Sequence, residues 1–332
     1  MPQEREKITF SSIEEIRETA YSILIEQFGE DRANFFYGTS AGSLTGASYR
    51  RNRIALDELR LRTRLLHGIN DVDTSTTILG KKISTPILVA PIAGASLDYN
   101  VAVKSCSDVD TLCLIGYAQP KKLIQSFSRA TAERVCWIVK PLTNLDEIKS
   151  CYAVAEEAGC LGVGMDIDSG AGLQSGPALR PPPNWSLKSV EELSMIRDFT
   201  TLPFIVKGVM CVEDAEHCVT AGANAIIVSN HSGHSLDSTQ SPIDILADIV
   251  DAVGRKVDIL MDGGIRHGTD VLKALASGAQ AVCIGRPAIW GYTSGGESGL
   301  TRVFEILTRE LERAMKLTGI SAASAVSKTI LV

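Results

Sequence analysis

Four stretches of this chain place chemistry-bearing residues just past a short apolar run. Lys207 follows FIV, Ser229-Asn230-His231 follows AIIV, Asp262-Gly263-Gly264 follows ILM, and Gly285-Arg286 follows AVCI. An imidazole titrates near neutrality, so His231 is a candidate to take a proton from a substrate hydroxyl or carbon. A lone histidine serves equally as a structural hydrogen-bonding group. Gly263, Gly264 and Gly285 let backbone amides approach an anion closely, and Arg266 and Arg286 add charge, so together they read as a phosphate site. The plainer alternative is that these glycines only make tight turns. A lone ammonium at Lys207 is costly to bury without a partner, so it has either a site role or an ordinary rim salt bridge.

The elements that must carry these residues can be read from the apolar pattern. Eight short Val/Ile/Leu-rich runs appear in order: 87–90, 112–115, 135–139, 161–165, 204–206, 225–228, 259–261 and 281–284. Helical stretches separate them, the clearest at 145–158, 212–221, 243–253 and 269–277. Buried parallel strands with crossover helices have this pattern. Eight repeats predict an α/β fold, a closed (β/α)8 TIM barrel, whose active site lies at the C-terminal strand ends and whose last two turns commonly hold phosphate. An amphipathic helix over 11–28, a polar glycine-rich stretch over 38–46 and a basic, partly helical piece over 49–66 precede the first strand. The expected organisation is one domain over 1–332, with 1–80 as an N-terminal helical and irregular cap. A last outer helix is expected over 300–317. The glycines and prolines of 169–185 predict no regular element there, only a connector or a lid.

Composition narrows the function classes. The chain has 332 residues, 45% of them hydrophobic, and a net charge of −6. That charge argues against a nucleic-acid surface, which needs a basic footprint. No apolar run approaches the length of a membrane span. The eight cysteines show no CxxC pair or metal-ligand spacing and fall inside apolar patterns, so they are expected reduced and buried, in the cytoplasm, with no metal site.

VKGV, SNHxGxxLD, DGGIRxGTDVxKALAxGA and IGRP, with NRIALDELRLRTRLL and ISTPILVAPIAG nearer the N-terminus, resemble the FMN-dependent α-hydroxy acid oxidase and dehydrogenase family, which includes glycolate oxidase, lactate oxidase and mandelate dehydrogenase. The resemblance implies bound FMN. Its phosphate would lie on Gly263, Gly264, Arg266, Gly285 and Arg286, and its ribityl chain on Asp262. Lys207 would stand beside the N1–C2=O edge, Ser229 would touch the ring, and Pro91, Ile92 and Ala93 would lie against the cofactor. His231 becomes the base, Asp166 the carboxylate that orients it, and Lys207 the third member of the catalytic set. The family also implies a homo-oligomer, often a tetramer.

The substrate side departs from the family pattern. Where the family has a carboxylate-clamping arginine three residues after the histidine, this chain has His234, which cannot make the bidentate fork. Lys140 stands for a strand-three tyrosine and Ile138 for a glutamine. Phe36 stands for the N-terminal tyrosine, with Tyr37 able to serve after a one-residue shift. Tyr117 takes the place of an aromatic after strand two that is often tryptophan. The family's second arginine has only Arg180 as a remote counterpart. The substrate set is therefore His231, His234, Lys140, Tyr117 and Tyr37, acting on an alcohol, hydroxy acid or amine. Lys140 and His234 either form a different anchor or merely solvate the rim. Two alternatives remain: a non-oxidative, isomerase-type FMN barrel, or a flavin-binding protein whose substrate site has decayed.

Overall fold

The computed structural model describes residues 10–92, 97–116, 121–175, 178–180 and 184–332. The chain begins with helices α1 (Ile13–Phe28), α2 (Glu30–Tyr37) and α3 (Ala47–Glu58), then a hairpin β1 (Thr76–Ile78) and β2 (Lys81–Ile83). The barrel follows as β3 (Ile87–Ile92), α4 (Tyr99–Asp108), β4 (Cys113–Ile115), α5 (Lys121–Gln125), α6 (Arg129–Ala132), β5 (Val135–Val139), α7 (Leu145–Ala158) and β6 (Gly162–Asp166). A second hairpin, β7 (Leu173–Ser175) and β8 (Ala178–Arg180), interrupts it. It resumes with α8 (Val190–Arg197), β9 (Phe204–Val209), α9 (Val212–Thr220), β10 (Ala225–Val228), α10 (Pro242–Val253), β11 (Asp258–Met261), α11 (Gly268–Ala276), β12 (Ala281–Ile284) and α12 (Arg286–Thr318).

The eight parallel strands close in the order β3-β4-β5-β6-β9-β10-β11-β12, with β12 pairing back onto β3. The predicted (β/α)8 barrel is therefore present. Successive side chains on a strand point to opposite faces, and the buried residues divide accordingly. Leu88, Leu114, Cys136, Ile138, Ile205, Ile227, Leu260 and Cys283 fill the barrel interior. Ile87, Val89, Trp137, Val163, Val206 and Ile226 pack outward against the helices. The β1–β2 hairpin adds Ile78 and Ile83 to the interior group, and Leu79 N donates to Asp258 Oδ2 at the start of β11 (2.6 Å). The hairpin thus plugs the end of the barrel opposite the strand C-termini.

The same alternation continues to the other rim. Lys140 shares inward parity with Ile138, Asp166 with Gly164, Lys207 with Ile205, Ser229 with Ile227, and Asp262 with Leu260. Every strand that carries a chemical residue delivers it into the barrel mouth.

Helix α1 starts at Ser12, whose hydroxyl accepts from Glu15 N (3.1 Å), and buries Ile13, Ile16, Ala20 and Leu24. It packs against α12, where Ser294 Oγ donates to Ile16 O (2.8 Å). The piece over 49–66, expected to be partly helical, is helical through Glu58. Two expectations need correction. The last helix starts at Arg286, well before residue 300, and breaks at Gly295 and Gly296, whose backbone angles are non-helical. The stretch 169–185, expected to hold no regular element, contains the β7–β8 hairpin; Gln174 N donates to His234 O (2.9 Å) and ties it to the rim. All eight cysteines are free thiols, seven of them buried. No helix of the described residues is long and apolar enough to cross a membrane.

Candidate active site

Asp166 ends β6 and is the register partner of Lys207 on β9. Lys207 Nζ donates to Asp166 Oδ1 (3.0 Å), and Lys140 Nζ donates to Asp166 Oδ2 and to Ser169 Oγ (2.9 Å). All three charged groups are buried. Asp166 thus neutralises two ammonium groups that would otherwise be stranded in a low-dielectric site.

His231 meets a different carboxylate. Its Nδ1 lies 2.9 Å from Asp168 Oδ1, 3.5 Å from Asp166 Oδ1 and 3.3 Å from Lys207 Nζ. Two carboxylate oxygens against Nδ1 favour a proton on that nitrogen and leave the neutral ring's Nε2 able to accept one. Asp168 reaches this position because Gly208, at φ +103, has no side chain: a Cβ there would sit 2.6 Å from Asp168 Cβ. The glycine of VKGV therefore makes room for the second acid.

The backbone around the histidine is strained. His231 and Ser232 have φ of +53 and +56, unusual for residues with a Cβ. Asn230 holds the turn: its Nδ2 donates to Asn52 Oδ1 (2.7 Å), its Oδ1 accepts from Asn52 Nδ2 (2.9 Å) and from Gly233 N (3.1 Å). Helix α3 thereby fixes the histidine turn.

Charge coupling sets the protonation states. Burial raises the Asp166 carboxyl, but Lys140, Lys207 and His231 outweigh it and hold it well below the usual carboxylate range. Burial and Lys207 both disfavour a charged His231, yet Asp166 and Asp168 prevail and the imidazole titrates above its ordinary value. Burial works against the Lys207 ammonium, and Asp166, Asp168 and Asp262 more than offset it, so the group stays charged. Asp166, Asp168 and His231 bring ligand atoms within 4.8 Å of one another. The two lysines already supply the positive charge those carboxylates need, so charge balance calls for no divalent ion.

The second half of the site lies at β11 and β12. Gly263 and Gly264 have φ of +97 and +88. The space beside Gly285 is open, with no atom within 4 Å of a built Cβ. Arg286 starts α12 and stacks over Tyr49, 4.5 Å from the ring centre, while Arg266 lies 4.9 Å from the Trp290 ring centre. Burial lowers the Arg266 guanidinium to about 10, and the neighbouring Arg286 charge adds to the effect. Asp262 Oδ1 is buried with no hydrogen-bond partner among the described residues, and burial pushes its carboxyl up. Guanidinium groups with no carboxylate partner among the described residues, a helix N-terminus and an orphaned carboxylate acceptor fit a ligand with a phosphate at one end and hydroxyls next to it.

A model of the FMN-dependent dehydrogenase family matches residues 32–174 and 178–332. The chain belongs to this family. It is 33% identical to a 2-hydroxyacid oxidase of Dictyostelium discoideum, over 97% of this chain and 90% of that protein. It is 30% identical to a 4-hydroxymandelate oxidase of Amycolatopsis orientalis, over 96% and 97%. A solved mandelate oxidase variant carrying a monooxide FMN adduct superposes with a TM-score of 0.81 at 30% identity, covering 94% of this chain and 98% of that one. This family member is an FMN-dependent oxidoreductase of the α-hydroxy acid oxidase type, with FMN as its cofactor.

The structure groups His231, Asp166, Lys207 and Lys140 at one rim, and Asp262, Gly263, Gly264, Arg266, Gly285 and Arg286 beside it. Ser229 follows β10 between them, its Oγ accepting from His231 N (3.2 Å). Pro91 and Ile92 close β3, where Ile92 N donates to Tyr99 Oη (2.9 Å). Ala93 and Tyr117 lie outside the described residues, as does the side chain of Arg180. His234 is buried, its Nδ1 3.0 Å from Gln174 O. Tyr37 is grouped with Glu18 and Arg17 (its Oη donates to Glu18 Oε1, 2.5 Å) and not with the histidines. The ring that faces His234 is Phe35, 5.4 Å between centroids. Sequence reasoning missed Asp168, Ser169, Phe35 and Tyr49. The Asp-Ile-Asp spacing at 166–168 was the one available signal for Asp168.

Proposed function

We propose that His231 Nε2 takes the hydroxyl proton of a 2-hydroxy acid or a related alcohol while the substrate is oxidised at the barrel mouth. The observation that carries this is the imidazole held through Nδ1 by Asp168, in a cluster whose charges favour the imidazolium that forms. Bound FMN supplies the two-electron acceptor. Gly263, Gly264, Arg266, Gly285 and Arg286 would hold its phosphate, Asp262 its ribityl hydroxyls, and Lys207 would offset negative charge developing at the ring edge. Asp166 keeps Lys140 and Lys207 in place, and Asp168 steadies the protonated histidine as the aspartate does in a triad.

The substrate anchor is the part peculiar to this chain. His234 faces the Gln174 carbonyl and the Phe35 ring, an environment for an apolar or neutral polar group more than for a carboxylate fork. An alcohol or a weakly anchored hydroxy acid therefore fits better than a tightly clamped small hydroxy acid. The retained His231–Asp168 pair favours this over the isomerase-type and decayed-site readings. The chain is further read as one working unit over 1–332 with 1–80 as its cap, in a cytoplasmic homo-oligomer; family likeness and buried free thiols support this, and light scattering of the purified protein tests the assembly.

The test is anaerobic reduction of the FMN-loaded protein by alcohols, hydroxy acids and amines, followed as loss of the flavin colour. His231→Ala is expected to keep FMN and slow the bleaching by about 100-fold or more. Bleaching at the wild-type rate would remove His231 as the base.

A further inference from the structure

Helix α1 brings a third guanidinium to the phosphate end of the site. Arg17 Cζ lies 3.8 Å from the Tyr37 ring centre and 5.4 Å from that of Trp290, the ring that also carries Arg266. Arg51, Arg53, Arg134 and Arg302 each hold a carboxylate at 2.7 Å or less. Among the described residues Arg17, Arg266 and Arg286 have no such partner, although the chain as a whole is acidic at −6. Arg17 Nε is moreover a buried atom with no acceptor among the described residues. A chamber of about 520 Å³ opens beside Arg17 and Arg266, with Tyr49, Gly264 and Trp290 also in its wall; its two carboxylates, Asp57 and Glu14, lie against Arg53 and His267.

Arg17 and Arg266 on Trp290 and Arg286 on Tyr49 are like charges that repel one another, and an orphaned buried donor adds to the cost. The field is felt locally: burial opposes ionisation of the Tyr49 phenol, yet Arg286, Arg266 and Arg17 together hold it below its ordinary value. A phosphate dianion bound where these guanidinium groups meet would reduce both penalties. Arg266 and Arg286 belong to the glycine-arginine stretches at the ends of β11 and β12. Arg17 does not: it arrives from a helix some 250 positions away in sequence.

We infer that Arg17 of α1 completes the FMN phosphate site as a third guanidinium, so that cofactor binding and docking of the N-terminal helix stabilise each other. This rests on the FMN reading of the rim. If Arg17 instead served only to stack on Tyr37 and Trp290, it would not distinguish a flavin with a phosphate from one without.

The experiment titrates the FMN-free protein with FMN and with riboflavin, following flavin fluorescence quenching, for wild type and Arg17→Gln, which keeps much of the side-chain stem. The expected result is an FMN dissociation constant raised about 10-fold or more with riboflavin binding within about twofold of wild type. Raising the salt concentration should narrow the FMN difference. Riboflavin binding doubles as the check that the variant is folded. FMN affinity close to wild type, or similar losses for both flavins as a displaced α1 would cause, overturns the assignment. Failure of the wild-type protein to bind FMN would strike the cofactor reading itself and is a distinct outcome.

Discussion

Replacing Asp168 with asparagine preserves the side-chain shape and removes one charge from the histidine cluster. At the observed 2.9 Å from His231 Nδ1, the bare Coulomb attraction is about 6 kcal/mol at an effective dielectric of 20. Desolvation consumes much of that, and Asp166 at 3.5 Å supplies part of the same field. The net value of a hydrogen bond to a charged group, about 1.5–3 kcal/mol, is the better guide. That corresponds to a fall of roughly 1–2 units in the histidine pKa. It also corresponds to a roughly 10- to 150-fold slower reductive step if His231 is protonated in the transition state. The assay is stopped-flow reduction of the FMN-loaded enzyme across pH. Activity should rise as His231 loses its proton, with a wild-type midpoint above the ordinary histidine value of about 6.5 and a lower midpoint in Asp168→Asn. A variant with an unshifted limb and a rate within about threefold of wild type would show that Asp166 alone orients the base.

Three further outcomes separate the parts of the cluster. Asp166→Asn leaves Lys140 and Lys207 buried without their nearest carboxylate and should cost about 3–5 kcal/mol in denaturant unfolding at neutral pH, whereas Asp168→Asn should cost less, about 3 kcal/mol at most; a larger cost for Asp168→Asn would contradict the division of labour. Asp166 has a folded-state pKa below its unfolded value of about 3.9, so its contribution is complete above that pH and lost as pH falls through the folded value. The stability gap between wild type and Asp166→Asn should therefore shrink below about pH 4, and a constant gap would exclude the mechanism. His231 has the opposite sign: its stabilisation is complete below about pH 6.5 and disappears as pH rises through its raised folded value. Gly208→Ala puts a Cβ 2.6 Å from Asp168 Cβ at a left-handed backbone position and should destabilise the protein by at least about 1–3 kcal/mol while lowering the midpoint of the pH profile. An unchanged profile would show that Asp168 does not depend on that gap.

The sequence by itself determined the barrel and which strand ends carry chemistry. The eight apolar runs made the closed sheet legible, and the period of two then sends Lys140, Asp166, Lys207, Ser229 and Asp262 inward, because each follows an inward apolar or glycine position by two residues. Boundaries suffered where apolar pattern and hydrogen bonding part company: β9 runs on through Gly208 to Val209, and α12 starts at Arg286 with a buried stretch through Gly291 that the break at Gly295 and Gly296 separates from the later apolar stripe. The pairing of charges was not legible. Asp168 lies on a short turn after β6, not on a strand, so no periodicity aims it at His231; the missing side chain of Gly208, forty residues later, decides that approach. Arg17 likewise looks like any surface arginine of an amphipathic helix until α1 is laid across α12 and its charge is brought beside Arg266 and Arg286. Local periodicity fixes the direction in which a side chain points, while the partner it meets depends on contacts between distant segments, and only the folded chain supplies those.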